Sequence, residues 1–144
     1  MDFVEIAAST TGRQAYQLMK DSNAVESYVI NETGEYVGKL DIFGAISASE
    51  EPVDQFLLKE PTILLEDDSL QTAIEKTIDF VGESIPILSG DKKFLKCVVS
   101  EGSIFQAVID VQNSVSKIGR AWIEFKKTVH LNEYLHRFYI NCFL

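Results

Sequence analysis

Proline, cysteine, tryptophan and histidine are scarce in this 144-residue chain, at three, two, one and two residues. So little proline, with eight glycines, excludes a collagen-like or a Pro/Gly-rich disordered chain. Two cysteines, Cys97 and Cys142, do not make a disulfide scaffold. Long apolar runs are missing. The longest are strand-like pieces such as Cys97-Val98-Val99, far short of the roughly 18–20 residues that span a bilayer. The chain opens Met1-Asp2-Phe3-Val4-Glu5, with no basic stretch before an apolar one, so a signal peptide is not expected and cytoplasmic placement is. His130 and His136 have no Cys or His at ligand spacing, which argues against a zinc site. There is no Gly-rich phosphate loop and no arguable Ser-His-Asp set, so catalysis is not expected. Positive charge is also short: 13 Lys and Arg stand against 22 Asp and Glu, a net −9 that disfavours binding to a nucleic-acid backbone.

What is present fits a folded protein. Hydrophobic residues make up 46% and charged residues 24%, enough for one domain or two very small ones. The charge is unevenly spread. Residues 1–110 hold 8 basic and 20 acidic side chains, whereas residues 111–144 hold five basic (Lys117, Arg120, Lys126, Lys127, Arg137) and two acidic ones (Glu124, Glu133). The same tail carries six of the fifteen aromatic residues. Ile118, Trp122, Phe125 and Val129 recur at spacings of four, three and four, an amphipathic helical stripe. Such a tail can pack on its own body, join a homodimer interface, or dock at the face of a membrane-embedded partner. The acidic runs Glu50-Glu51 and Glu66-Asp67-Asp68 read as solvated charge, with a weak divalent-cation surface as the other reading; no metal site is expected.

The body repeats itself. Thr10 or Thr11 can cap a helix with Ala15, Leu18 and Met19 on one face. Ser27 to Ile30 reads as a strand, Asn31-Glu32-Thr33-Gly34 as a turn, Tyr36 to Leu40 as the return strand, and Ile42, Phe43, Ala45 and Ile46 as a short helix. The order recurs later. Asp68 or Ser69 caps a helix bearing Leu70, Ala73, Ile74, Thr77 and Ile78, and Ile85 to Leu88 is the strand. Ser89-Gly90-Asp91-Lys92 is the turn, Phe94 to Val99 the return strand, and Ile104, Phe105, Ala107 and Val108 the closing helix face. An extended piece, Phe3 to Ile6 or Thr62 to Leu65, precedes each unit. Offsets of 57 to 59 that change only at turns indicate a duplication. The expected fold is therefore α/β (α+β): repeats over residues 1–50 and 51–110, then a helical tail over 111–144.

Two β-α-β-β-α units resemble the cystathionine-β-synthase (CBS) domain pattern, paired as in a Bateman module. That pattern has an apolar-Pro-apolar strand, a turn, and a return strand running from Gly to Ser/Thr and then to Asp on the last helix. Ile85-Pro86-Ile87 and the stretch Cys97 to Phe105 match it in the second unit; Tyr28-Val29-Ile30 and Gly38 to Ile46 match it in the first. The resemblance implies a pseudo-two-fold pair packed sheet to sheet, with clefts that in many members bind adenine nucleotides. It thus implies AMP, ADP, ATP or S-adenosylmethionine as ligand, and Ser100, Ser103, Ile85, Pro86, Asp41 and Gly44 as the residues at the ligand positions.

The sequence departs from the pattern where it matters most. The ribose-binding Asp is Gly44 in the first unit and Ser103 in the second, and the Ser/Thr before it is Asp41 in the first and Ser100 in the second. Asp41 would set a carboxylate beside a phosphate, which costs affinity. Ser100 and Asp41 can equally be plain helix caps. The run from Tyr36-Val37-Gly38 through Pro52-Val53 to Pro61-Thr62 resembles the cytosolic part of chloride-channel-type (ClC) transporters. The function these residues imply is non-enzymatic: a regulatory module acting on a membrane channel or transporter. A stand-alone nucleotide sensor and a dimerisation module with degenerate clefts are the other readings.

Overall fold

The computed structural model describes residues 3–59 and 61–115, with the side chains of 114 and 115 left aside. The chain divides into two compact units, one over Asp2–Pro61 and one beginning at Thr62.

The first unit runs β1 (Glu5–Ala7), α1 (Gly12–Asp21), β2 (Glu26–Ile30), β3 (Tyr36–Asp41), α2 (Ile42–Ala48) and a 3-10 turn over Val53–Gln55. β2 lies central in a three-stranded sheet, parallel to β1 and antiparallel to β3. α1 starts where the sequence signals it. Gln14 N–H donates to Thr11 Oγ1 and Thr11 N–H to Gln14 Oε1, both at 3.3 Å, a reciprocal capping box. The next two free N–H groups of the helix meet the end of α2. Gly12 donates to Glu51 O at 3.0 Å and Arg13 to Ser49 O at 2.7 Å. At Gly12 the two helices come so close that an added Cβ would collide with the Ala45 carbonyl oxygen. The hairpin turn is built by Asn31, whose Oδ1 accepts from Thr33 N–H and Glu35 N–H, while Gly34 supplies φ +80°. Ile6, Ala15, Met19, Val29, Leu40, Ala45, Ala48 and Val53 form the core. Val53 is fully buried there, so the turn after Pro52 packs as part of the first unit.

The second unit repeats the plan as β4 (Leu64–Leu65), α3 (Leu70–Thr77), β5 (Ile85–Leu88), β6 (Leu95–Val99) and α4 (Glu101–Val115). β5 is central, parallel to β4 and antiparallel to β6. The register slips between Val29 and Ile30 in the first sheet and between Ile87 and Leu88 in the second. An irregularity recurring at the same place is a signature of duplication that residue matching alone could not supply. Pro86 is tolerated in a central strand because β4 pairs only with Ile87 and Leu88. Ser69 caps α3 by accepting Thr72 N–H at 3.1 Å. Leu64, Leu70, Ala73, Ile85, Ile87, Cys97, Val99, Ile104, Ala107 and Val111 form this core.

The helices differ from the sequence expectation on one face. Leu18, Phe43, Ile46, Ile78 and Phe105, which the sequence places among the apolar residues of these helices, are exposed. The helices are short, so only one residue per turn reaches the sheet, and neighbouring apolar positions face outward. α4 is longer than its counterpart α2, and its Val111 is buried. Residues 111–115, assigned to the tail by charge and composition, thus complete this helix. The helical stripe from Ile118 onward lies outside the described residues. Among the described residues no helix is long and apolar enough to cross a membrane.

Candidate functional site

Each unit brings its candidate residues to one corner, where the return strand ends and the last helix begins. In the second unit Ser100 follows β6 and caps α4: its Oγ accepts Ser103 N–H at 3.1 Å and lies 2.9 Å from Ser103 Oγ. Sharing one hydrogen bond, the two hydroxyls present a paired donor and acceptor at the start of a 15-residue helix, where the dipole favours an anion. Ile85 pairs with Val99, one residue before Ser100, and its side chain is buried in the core below this corner. Pro86 is buried too, opposite Val98. Gly102 leaves the corner roomy: among the described residues, a Cβ there would come no nearer than 3.7 Å to a neighbouring group, at Ser100 Oγ.

The first-unit corner is built alike and filled differently. Asp41 caps α2, its Oδ1 accepting Gly44 N–H at 2.7 Å. The carboxylate is engaged in its own helix. Gly44 faces the chain that follows the 3-10 turn: a Cβ there would lie 2.6 Å from the Phe56 carbonyl oxygen and 2.9 Å from Leu40 Cδ1. Gly38 faces the same segment, with Leu57 Cδ1 2.7 Å from where its Cβ would be. Leu58 N–H donates to Lys39 O at 2.8 Å. Phe56–Leu58 therefore straps across the corner. Sequence reasoning missed this strap. The signal was present as two glycines, Gly38 and Gly44, and an apolar Phe56-Leu57-Leu58 run, but nothing in their spacing pairs them.

Two further buried polar features lie on the first sheet. Lys39 Nζ bonds Glu26 Oε2 at 2.7 Å with the lysine side chain 3% exposed. Tyr36, whose ring lies 6.4 Å from that of Tyr28, buries its hydroxyl with no hydrogen-bond partner among the described residues. Burial holds the phenol well above its ordinary value. In the second unit, the Ser89 hydroxyl and the Lys93 N–H hold the exposed Asp91 carboxyl below its ordinary range. Among the described residues no group of three or more His, Cys, Asp or Glu could hold a metal ion.

No protein-family model matches the chain, and no curated protein matches it in sequence. Solved structures do match. A CBS domain pair/ACT domain protein from Thermotoga maritima superposes with a TM-score of 0.64 at 19% identity, over 76% of this chain and 90% of that one. The chain has the fold of a CBS-domain pair. CBSX2 of Arabidopsis thaliana, solved in complex with AMP, gives a TM-score of 0.59 at 14% identity over 78% of this chain and 90% of that one. The CBS-pair domain of a putative Mg²⁺ transporter from Shewanella oneidensis gives 0.66 at 15% identity, over 76% and 66%.

Proposed function

We propose that the chain is a non-enzymatic regulatory module that senses an adenine nucleotide through its second unit. The observation that carries this reading is the Ser100–Ser103 hydroxyl pair at the N-terminus of α4, beside an unobstructed Gly102. Ser100 and Ser103 would bond the ribose hydroxyls, and the first turn of α4 would face the phosphate. The AMP complex of CBSX2 supports adenosine monophosphate as the first ligand to try. Missing the carboxylate, the site relies on neutral hydrogen bonds, each worth about 0.5–1.5 kcal/mol net, so weak, micromolar-or-higher binding is expected.

The output is carried to a membrane channel or transporter, a reading supported by the CBS-pair domain of the Mg²⁺ transporter and by the ClC-like run from Tyr36 to Thr62. Sensing requires the nucleotide to bind one arrangement of the module better than another. The module acts as a homodimer. Ile46 on α2 and Phe105 on α4 hold equivalent repeat positions and are 57% and 59% exposed, so each unit carries an exposed apolar residue for a second copy to cover.

Calorimetry with AMP, ADP, ATP and S-adenosylmethionine, with and without Mg²⁺, tests the reading. Binding that is lost in Ser100→Ala supports it. No heat and no thermal shift at millimolar ligand removes adenine nucleotides and leaves the dimerisation module.

A further inference from the structure

The strap Phe56–Leu58 does more than connect. Its three residues meet the first-unit corner through three separate contacts: the Phe56 carbonyl against Gly44, the Leu57 side chain against Gly38, and the Leu58 N–H on Lys39 O. Gly38 and Gly44 are the two positions where β3 and α2 must lack side chains for the strap to lie down. Gly38 pairs with Val29 on the core face of the sheet, as Cys97 pairs with Ile87 in the second unit. The space that the Cys97 side chain fills in the second core is filled in the first by Leu57, brought in from another segment. The Asp41 carboxylate is already used on Gly44 N–H. The chain itself takes up the room beside both glycines.

We propose that Phe56–Leu58 is a built-in occupant of the first-unit corner, clasped by Gly38 and Gly44, which closes that corner to small ligands and leaves, of the two described corners, that of the second unit for recognition. The part of this statement that concerns the second unit rests on the nucleotide reading above; the clasp does not.

Amide hydrogen exchange followed by NMR on the full chain reads the clasp directly, with AMP as the probe ligand. In the wild type the Leu58 amide should be protected, and millimolar AMP should leave Gly38, Gly44 and Leu58 unshifted. Gly44→Ala puts a methyl against the Phe56 backbone, which cannot rotate away, so exchange at Leu58 should rise by at least about tenfold while the β2 amides stay protected. If Gly44→Ala does not fold, Leu57→Ala loosens the same clasp without a clash and should raise Leu58 exchange severalfold. A Leu58 amide that exchanges at the unfolded-chain rate, exchange unchanged in these variants, or AMP-induced shifts at Gly38 and Gly44 would each overturn the proposal. AMP shifts absent from Ser100 and Ser103 would instead defeat the nucleotide reading and leave the clasp standing on the exchange data.

Discussion

Tyr36→Phe should make this protein more stable. The substitution removes one oxygen and nothing else, so the ring keeps its place 6.4 Å from Tyr28. That oxygen is buried with no hydrogen-bond partner among the described residues. A hydroxyl stripped of water and left unpaired costs about 1–3 kcal/mol. A gain of about 1 kcal/mol, the lower end of that range, is expected. For a protein of this size that is a rise of about 3–5 °C in Tm. Urea unfolding at neutral pH gives the free energy directly, with an unchanged m-value as the sign that only stability has moved.

The same hydroxyl sets a pH test with an independent sign. Burial raises the folded-state pKa of Tyr36 above the ordinary tyrosine value of about 10. Above pH 10 the unfolded chain loses this proton while the folded chain keeps it, so the folded state binds more protons and stability falls as pH rises. Below pH 10 the group is neutral in both states and contributes no slope. Tyr36→Phe should therefore lose less stability than the wild type between pH 10 and 11.5, with identical slopes between pH 7 and 9. A destabilisation of more than about 0.5 kcal/mol at neutral pH would mean that the hydroxyl is bonded and would refute the reasoning.

Other substitutions separate structural roles from binding. Gly12→Ala sets a methyl into the Ala45 carbonyl and should cost more than about 2 kcal/mol in urea unfolding, because backbone, not a side chain, is in the way. Asp41→Ala removes the α2 cap and should cost about 1 kcal/mol without changing nucleotide affinity, whereas Ser100→Ala should cost a similar amount and also abolish AMP binding in calorimetry. Glu26→Ala leaves the Lys39 ammonium buried without this carboxylate and should cost about 3–5 kcal/mol, most of it recovered in the double variant with Lys39→Met. Paired Ile46→Glu and Phe105→Glu should convert a dimer to a monomer by sedimentation if a second copy covers those positions, and leave the mass unchanged otherwise.

Much of the fold was legible because its signals are local. The Thr11 and Ser69 caps, the Asn31 turn and the short strand-like runs of β2 and β5 are all set by residues within a few positions of one another, and the order of elements recurs in both repeats. Apolar helix faces were over-read. Phe43 and Phe105 look like core by type, but a seven-residue helix such as α2 touches its sheet with little more than Ala45 and Ala48. At the site, the caps by Asp41 and Ser100 were readable from spacing. The strap was not, because a glycine announces only that a side chain is missing. What fills the space, here Leu57 and the Phe56 carbonyl, comes from a segment twelve or more residues away and is fixed by tertiary packing.

The two corners show how a duplicated unit divides its labour. Position by position they share the strand register, the bulge and the helix cap. They differ at the two places where the first unit has glycine: Gly38 against Cys97 and Gly44 against Ser103. In the second unit both positions carry their own side chains. One fills the core and the other joins a hydroxyl pair, with no strap laid over that corner among the described residues. In the first unit both positions are bare, and the following segment supplies the missing volume. A corner without such a strap can offer its polar groups outward, whereas a strapped corner must give up the strap to offer anything. Restoring a carboxylate by Gly44→Asp should on this ground fail to create a nucleotide site, because its Cβ would strike the Phe56 carbonyl first. Ser103→Asp, free of any such strap among the described residues, should strengthen AMP binding by about tenfold through a charge-assisted bond to the ribose hydroxyls. Equal effects of the two substitutions on AMP affinity in parallel titrations would show that the strap closes nothing.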